Sequence, residues 1–416
     1  MKRNSVKVHI SPRKFTHPVC VVFLHNIADM KLVFSVLCLL TGLFLTAQET
    51  PMKLFRTTGA LAYMEYGLGD DRLGGAKMGY LDSNVLIRVK DSVNGDYKVQ
   101  LSRNHEAYIP KSNLRAVSEV FPRTYYLSSN FKVFGDSAAD YVSIMLDEKL
   151  PYRSQHVMGP AGITVDIFGV TSNTNWITQL GSTKEIVNTW YEQVEDDVMR
   201  VHIRLKHDLH WGHSIYYDSL QRRLFIKIKR PPAEGMKKWK IAIDAGHGGT
   251  NLGAAGSVSR VLEKDYTLKM ARELESAFKK AGVKNVYMTR RIDTTLSMEE
   301  RIVALRKENP DLLISLHLNS SGADSIRGTS TFYRYVGFRP LSQDVLKRML
   351  ELGLKEYGNV GSFNFALSGP VEYPNCLVEV AFLSNREDEK KIIDPMFHKA
   401  VARKIVEGVK DFSKRK

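Results

Sequence analysis

The sequence predicts two small all-β domains followed by an α/β domain whose mostly parallel sheet is covered by helices. Three observations lead there. Between Leu54 and Lys229 the chain runs in short alternating apolar segments broken by glycine and asparagine. The stretch Pro231–Lys238 (PPAEGMKK) then reads as a linker. Beyond it, short apolar runs alternate with segments of helical spacing, the pattern of strand–helix–strand units.

The first element is a leader. Leu32–Ala47 (LVFSVLCLLTGLFLTA) is an uncharged apolar run of sixteen residues, short of the ~20 that a membrane-spanning helix needs. Met30 and Lys31 precede it and Thr46-Ala47-Gln48 closes it, which gives the parts of a signal peptide cut after Ala47. Residues 1–29 make too long a preface for such a peptide and point to a true start at Met30. The alternative is an uncleaved anchor.

Hydrophobic residues make up 43% of the 416 and charged residues 25%, which excludes a wholly disordered or fibrous chain. Sixty Lys and Arg against 45 Asp and Glu give a net charge of +15; losing the leader leaves +10. That surplus is either a solvated basic surface or a match for a polyanion: nucleic acid, an anionic membrane or cell-wall polymer. Charge does not choose among them. Cys20 and Cys38 fall in or before the leader, so Cys376 alone remains, with no intrachain disulfide and no cysteine zinc site.

In the first β-segment, Val85–Val89 and Tyr97–Leu101 flank Asn94-Gly95, a hairpin signal. Ala107–Pro110 and Lys111–Leu114 close the unit, and its short strands suggest a barrel. In the second, Gly162–Gly169, Met199–Leu205 and Leu224–Lys229 alternate. Trp176, Trp190, Tyr191, Trp211, Tyr216 and Tyr217 are either its core or a binding surface. His202, His207, His210 and His213 lack a carboxylate ligand pattern beyond Asp208 and are not read as a metal site.

In the last segment Lys240–Asp244, Asn285–Thr289, Leu312–Leu316 and Cys376–Val380 read as strands. Lys264–Gly282, Ser297–Asn309, Val345–Gly353 and Asp394–Phe412 read as helices. Three of these strands end on or carry polar residues that a buried parallel strand would not otherwise hold. Asp244-Ala-Gly-His247-Gly-Gly249 delivers a histidine to the carboxyl edge of the sheet, where open α/β sheets bind ligands. His317 ends the third strand, in Ser315–Ser320 (SLHLNS). Glu379 interrupts the apolar run Leu377–Leu383, an expensive place for a carboxylate without a partner or a role. Glu263 opens the first helix, where acids are favoured in any case. Among the three histidines after Met236, His398 lies in the last helix and reads as surface or packing.

Two histidines and a carboxylate leave one position open on zinc, as in catalytic sites. Such an ion acidifies water toward pH ~7 and polarises a carbonyl. Hydrolysis needs one further group to carry the proton, and Glu379 is the candidate.

These motifs resemble the zinc-dependent N-acetylmuramoyl-L-alanine amidases of the Amidase_3 type. The residues that carry the likeness are Ile243–Gly249, Glu263-Lys-Asp265, Met288–Arg290, Glu300-Arg301, Ser315–Asn319, Gly328–Tyr333 and Leu377–Asn385. The resemblance implies Zn²⁺ on His247, Glu263 and His317, with Glu379 catalytic. Asp244, Asn319 and Arg290 are candidates for supporting or substrate contacts. For Asp244 that means orienting His247 or nearby backbone, for Asn319 either substrate or a cap, and for Arg290 and Arg301 ion pairing with Asp293 and Glu300.

The sequence departs from the family at Phe365–Pro374, where an Arg-Asn-Thr stretch is usual, and this bears on stem-peptide recognition. The 62 positions from His317 to Glu379 are already filled by a strand, a helix and loops, so no inserted blocking helix is expected. The first β-segment resembles bacterial SH3-like domains and the second the β-sandwich AMIN-like modules that precede amidases.

The implied organisation is a leader at 1–47, an SH3-like domain at 48–120, an AMIN-like domain at 121–232, a linker at 233–238 and a catalytic domain at 239–416. The implied protein is exported to the periplasm or cell envelope and cleaves peptidoglycan between the muramic lactyl group and L-alanine. An envelope or divisome partner is expected on the β-domains, with neither nucleic acid nor a stable transmembrane anchor. The alternatives are a non-catalytic wall-binding scaffold and a zinc hydrolase of another amide.

Overall fold

The computed structural model describes residues 52–70, 73–117, 123, 125–219, 222–232 and 235–415. The leader expected at 1–47 lies outside the described residues. What is described is a multidomain, β-rich chain with an α/β-type domain at its C-terminal end.

The first unit holds β1 (Lys53–Thr57), β2 (Tyr63–Glu65), β3 (Lys77–Tyr80), β4 (Leu86–Val93), β5 (Asp96–Ser102), β6 (His105–Pro110) and β7 (Leu114–Ala116). They pair in the order β3-β2-β6-β5-β4-β1-β7. The hairpin read from Asn94-Gly95 joins β4 to β5, with Asn94 in the left-handed region that such turns demand.

The second unit holds β8 (Tyr126–Gly135), β9 (Ala139–Leu146), β10 (Tyr152–Val157), β11 (Gly162–Phe168), β12 (Val170–Thr171) and β13 (Ile177–Gln179). It continues with β14 (Ile186–Glu195), β15 (Val198–Leu205), β16 (His213–Tyr217) and β17 (Arg223–Lys229). One sheet runs β10-β11-β15-β14 and the other β12-β8-β9-β17-β16, with β13 on β8. Alternate residues of β17 face inward, and the two units share one buried apolar cluster: Val85, Ile87, Val99 and Ile109 join Phe131, Ile144, Val165, Ile203 and Ile226. Burial divides the aromatic set of the second unit. Trp211 and Tyr217 are core, whereas Trp176, Trp190 and Tyr216 are exposed.

The C-terminal domain is built on β18 (Lys240–Ala245), β19 (Asn285–Met288), β20 (Leu312–Asn319), β21 (Thr329–Phe332), β22 (Glu356–Val360) and β23 (Asn375–Phe382). The order is β19-β18-β20-β23-β21-β22. Neighbours pair parallel except β21 with β23, which are antiparallel. Its helices are α1 (Glu263–Lys280), α2 (Met298–Glu308), α3 (Arg339–Leu350), α4 (Arg386–Ile393) and α5 (Pro395–Phe412).

Local chemistry sets their ends. Helix α1 buries Leu268, Ala271, Leu274 and Phe278 along one stripe and stops before Gly282, which is left-handed. Helix α2 opens on a capping box between Ser297 and Glu300 and closes on left-handed Asn309. Helices α4 and α5 take Asn385 and Asp394 as N-caps.

The sequence reading placed the helix of α3 at Val345–Gly353. It starts at Arg339 instead, because Pro340 supplies a favourable first-turn residue. Two short strands, β21 and β22, and helix α4 were not anticipated. A third apolar cluster joins the first unit to this domain, with Leu61 against Ile302, Leu305, Leu367 and Tyr373. No helix among the described residues is long and apolar enough to cross a membrane.

Candidate active site

Strand β18 delivers Asp244 and, one turn beyond its end, His247. Asp244 is not among the converging side chains. It is buried, accepts from Thr289 (2.6 Å), Ser315 (2.8 Å) and Arg301 (2.6 Å), and pairs with an Arg301 that is equally buried. Burial alone would push the Asp244 carboxyl up, but the Arg301 charge and the Thr289 hydroxyl hold it below its usual range.

Arg301 in turn donates to the carbonyls of Ala245 (2.9 Å) and His247 (2.5 Å). Arg301 thus ties the Asp244 carboxylate to the main chain at Ala245 and His247. Arg290 does the same work from the other side, donating to Ala245 (2.9 Å), Gly246 (2.8 Å) and Lys264 (2.7 Å). The expectation that Arg301 pairs with Glu300 or Asp293 is therefore corrected. Glu300 closes its own capping box, and Asp293 binds Lys264 and the amide of Gly249.

Removing Arg301 would leave a buried, unpaired carboxylate. Arg301→Ala is expected to cost about 3–5 kcal/mol, read as a lower urea midpoint, while Arg301→Lys keeps the charge and recovers only part of it.

His247 has a φ of 60°, rare for a residue with a side chain and a mark of a backbone held for a purpose. Its Nδ1 lies 2.8 Å from Asn251 Oδ1, and its Nε2 faces Glu263 Oε1 at 3.0 Å. Asn251 was missed by the sequence reading, although an asparagine four residues after a glycine-flanked histidine is the available signal. On β20, His317 Nδ1 reaches the same Glu263 oxygen at 3.0 Å. Glu263, at the start of α1, also accepts from the amides of Leu318 (3.0 Å) and Ala254 (2.8 Å).

Two glycines make this convergence possible. A Cβ on Gly246 would lie 2.4 Å from the His317 ring, and one on Gly253 would lie 2.5 Å from Glu263 Oε2. The loop between them and α1 is pinned by Glu389 of α4, which accepts from the amides of Val258 and Ser259.

Burial works against charge on Glu263, yet the hydrogen bonds and charges of His247 and His317 hold its carboxyl well below the usual range. Burial likewise opposes charge on His317, but the Glu263 bond and charge, then the charges of Glu379 and Asp244, draw it up to about 9. One ligand atom from each of His247, Glu263 and His317 lies within 4.8 Å of the others. Two imidazoles and a carboxylate at that spacing suit a common zinc with ligand bonds of ~2.0–2.2 Å. Among the described residues no other group of His, Cys, Asp and Glu meets this spacing.

Glu379 stands on β23, directly beside His317 in the parallel register and nearly buried. Register partners on neighbouring strands point to the same face of a sheet, which puts its carboxylate at the edge of the ligand cluster. Asn319 is turned to local work, its Oδ1 accepting from the Ser320 amide at 2.8 Å. His398 is buried and bonded to the Ile392 carbonyl at 2.6 Å. His207 pairs with Glu185, and His210 and His213 are buried around His156.

Residues 241–411 match the Amidase_3 family model, described as N-acetylmuramoyl-L-alanine amidase. The chain is similar to the probable cell wall amidase LytH of Staphylococcus aureus, 30% identical over 171 residues. That stretch is 41% of this chain and 57% of the relative, so the chain spans little more than half the length of the curated relative it matches. Among solved structures it is similar to the catalytic domain of CwlV, an N-acetylmuramoyl-L-alanine amidase from Bacillus (Paenibacillus) polymyxa var. colistinus. The identity is 31%, over 43% of this chain and 99% of that one, with a TM-score of 0.41. An N-acetylmuramoyl-L-alanine amidase from Clostridium difficile 630 gives 30% identity, over 42% and 97%, and a TM-score of 0.40.

Proposed function

We propose that this protein is a peptidoglycan hydrolase that cleaves the amide between the lactyl group of N-acetylmuramic acid and L-alanine. The observation that carries the reading is the convergence of His247, Glu263 and His317 with Glu379 beside them on the next strand. The family match over 241–411 supports the choice of amide.

His247, Glu263 and His317 would hold zinc, which supplies a Lewis acid for the carbonyl and makes water acidic enough to attack near neutral pH. Glu379 takes the proton from the attacking water and returns it to the departing L-alanine nitrogen. The products are a lactyl carboxylate on the sugar and a free amine on the stem peptide, so water is added across one bond. Asn251 holds His247 in one tautomer by fixing its Nδ1. Asp244 and Arg301 hold the turn that aims it.

On the same reading residues 48–120 are an SH3-like domain, 121–232 an AMIN-like β-sandwich and 239–416 the catalytic domain with its mostly parallel sheet. The leader directs the chain to the periplasm or cell envelope, and the β-domains serve an envelope or divisome partner. Zymography of the purified full chain in gels cast with sacculi should show a cleared band that disappears with chelator and returns with zinc. A wild-type protein that clears nothing under any metal condition would support the scaffold alternative instead.

A further inference from the structure

The segment leading into β23 carries a row of aromatic rings beside the ligand cluster. Phe365 lies parallel to the His317 imidazole, with centroids 6.3 Å apart and planes 9° apart. It packs on Phe363 at 4.4 Å and on Phe332 at 5.5 Å. Ser362, just before them, sits at a φ of 55°, a conformation that neighbouring contacts must hold in place.

The residue between the two phenylalanines explains what holds it. Asn364 reaches into the first β-unit, where its Nδ2 donates to the carbonyls of Gly75 (2.8 Å) and Leu73 (3.4 Å). Its Oδ1 accepts from the amide of Lys77 (3.2 Å) and from Arg334 (2.5 Å). Arg334 also donates to the Lys77 carbonyl, tying the same strand to the same loop. One side-chain amide therefore joins the loop beside the ligand cluster to backbone nearly 290 positions earlier.

We propose that the first β-unit completes the substrate cleft: its Leu73–Lys77 backbone grips Asn364, and Asn364 sets Phe365 beside His317 as a wall that positions the scissile amide. The proposal rests on the amidase reading above. It makes Asn364 a positioning residue that acts through Phe365, and it makes the front unit part of the site instead of a detachable tether. It also accounts for the segment where the sequence departs from the family, since Phe365 opens that stretch and is anchored from outside the catalytic domain.

The test is a double-mutant cycle in the full chain, with Asn364→Ala, Phe365→Ala and both together. The probe is a soluble muropeptide carrying an intact lactyl–L-alanine amide, and kcat, KM, zinc content and melting temperature are measured for each. A wall that binds ground and transition states alike should raise KM about tenfold in either single variant, with zinc content unchanged. The double variant should be no worse than Phe365→Ala, because the first residue acts through the second.

Hydrogen exchange gives a readout independent of activity. Amides of 363–368 should exchange faster in Asn364→Ala while those of β4–β6 keep their protection. The proposal is overturned by an unchanged KM in Asn364→Ala, by effects that multiply in the double variant, or by unchanged exchange at 363–368. A wild-type chain that leaves the probe intact counts against the amidase reading, and the exchange arm still decides the tether.

Discussion

His317→Ala should empty the metal site and abolish hydrolysis while the front β-units stay folded. His317 and His247 share one oxygen of Glu263, each at 3.0 Å, so removing either imidazole leaves two ligands where zinc needs three from the protein. His247→Ala is expected to behave alike, and elemental analysis of both variants checks it. Glu263→Gln should weaken zinc as well as rate, because it exchanges an anionic ligand for a neutral one. One zinc per chain retained at full occupancy in either histidine variant contradicts the ligand assignment.

The second large effect separates proton transfer from metal binding. Glu379→Gln keeps shape and volume but cannot accept a proton, so zinc should stay while turnover falls by about 10²–10⁴-fold. Assay of zinc content and muropeptide release on the same preparation, beside Glu263→Gln, reads both at once. If Glu379→Gln loses its zinc or keeps near wild-type release, the division of labour is wrong.

His247, His317 and Glu379 are legible because each breaks a local rule, whereas Glu263, an acid in a first helical turn, obeys one. A histidine framed by glycines at a strand end, a second histidine at another strand end and a carboxylate inside an apolar strand all carry a cost that only a role offsets. Helices α2 and α5 are legible for the opposite reason: Ser297 with Glu300, and Asp394 before Pro395, obey local capping chemistry.

What escaped depends on contacts distant in sequence. Arg301 has acids nearby, at Glu300 and Asp293, yet its partner is the buried Asp244, 57 positions away. The tie between Asn364 and Lys77 leaves no trace in either segment. Strands β21 (TSTF) and β22 (EYGNV) are too short and mixed to announce themselves; β21 forms on the edge that β23 offers, and β22 then pairs with β21. The start of helix α3 is hidden because Arg339, Pro340, Ser342 and Gln343 surround Leu341, the one apolar member of its buried stripe before Val345.

The most direct measurement is mass spectrometry of the soluble products released from purified sacculi by the zinc-loaded full chain, beside Glu379→Gln. The account predicts stem peptides with free L-alanine amines and glycan strands with intact N-acetyl groups and lactyl carboxylates, all absent from the variant. Deacetylated sugars, peptides cut within the stem, or equal release by Glu379→Gln would contradict it.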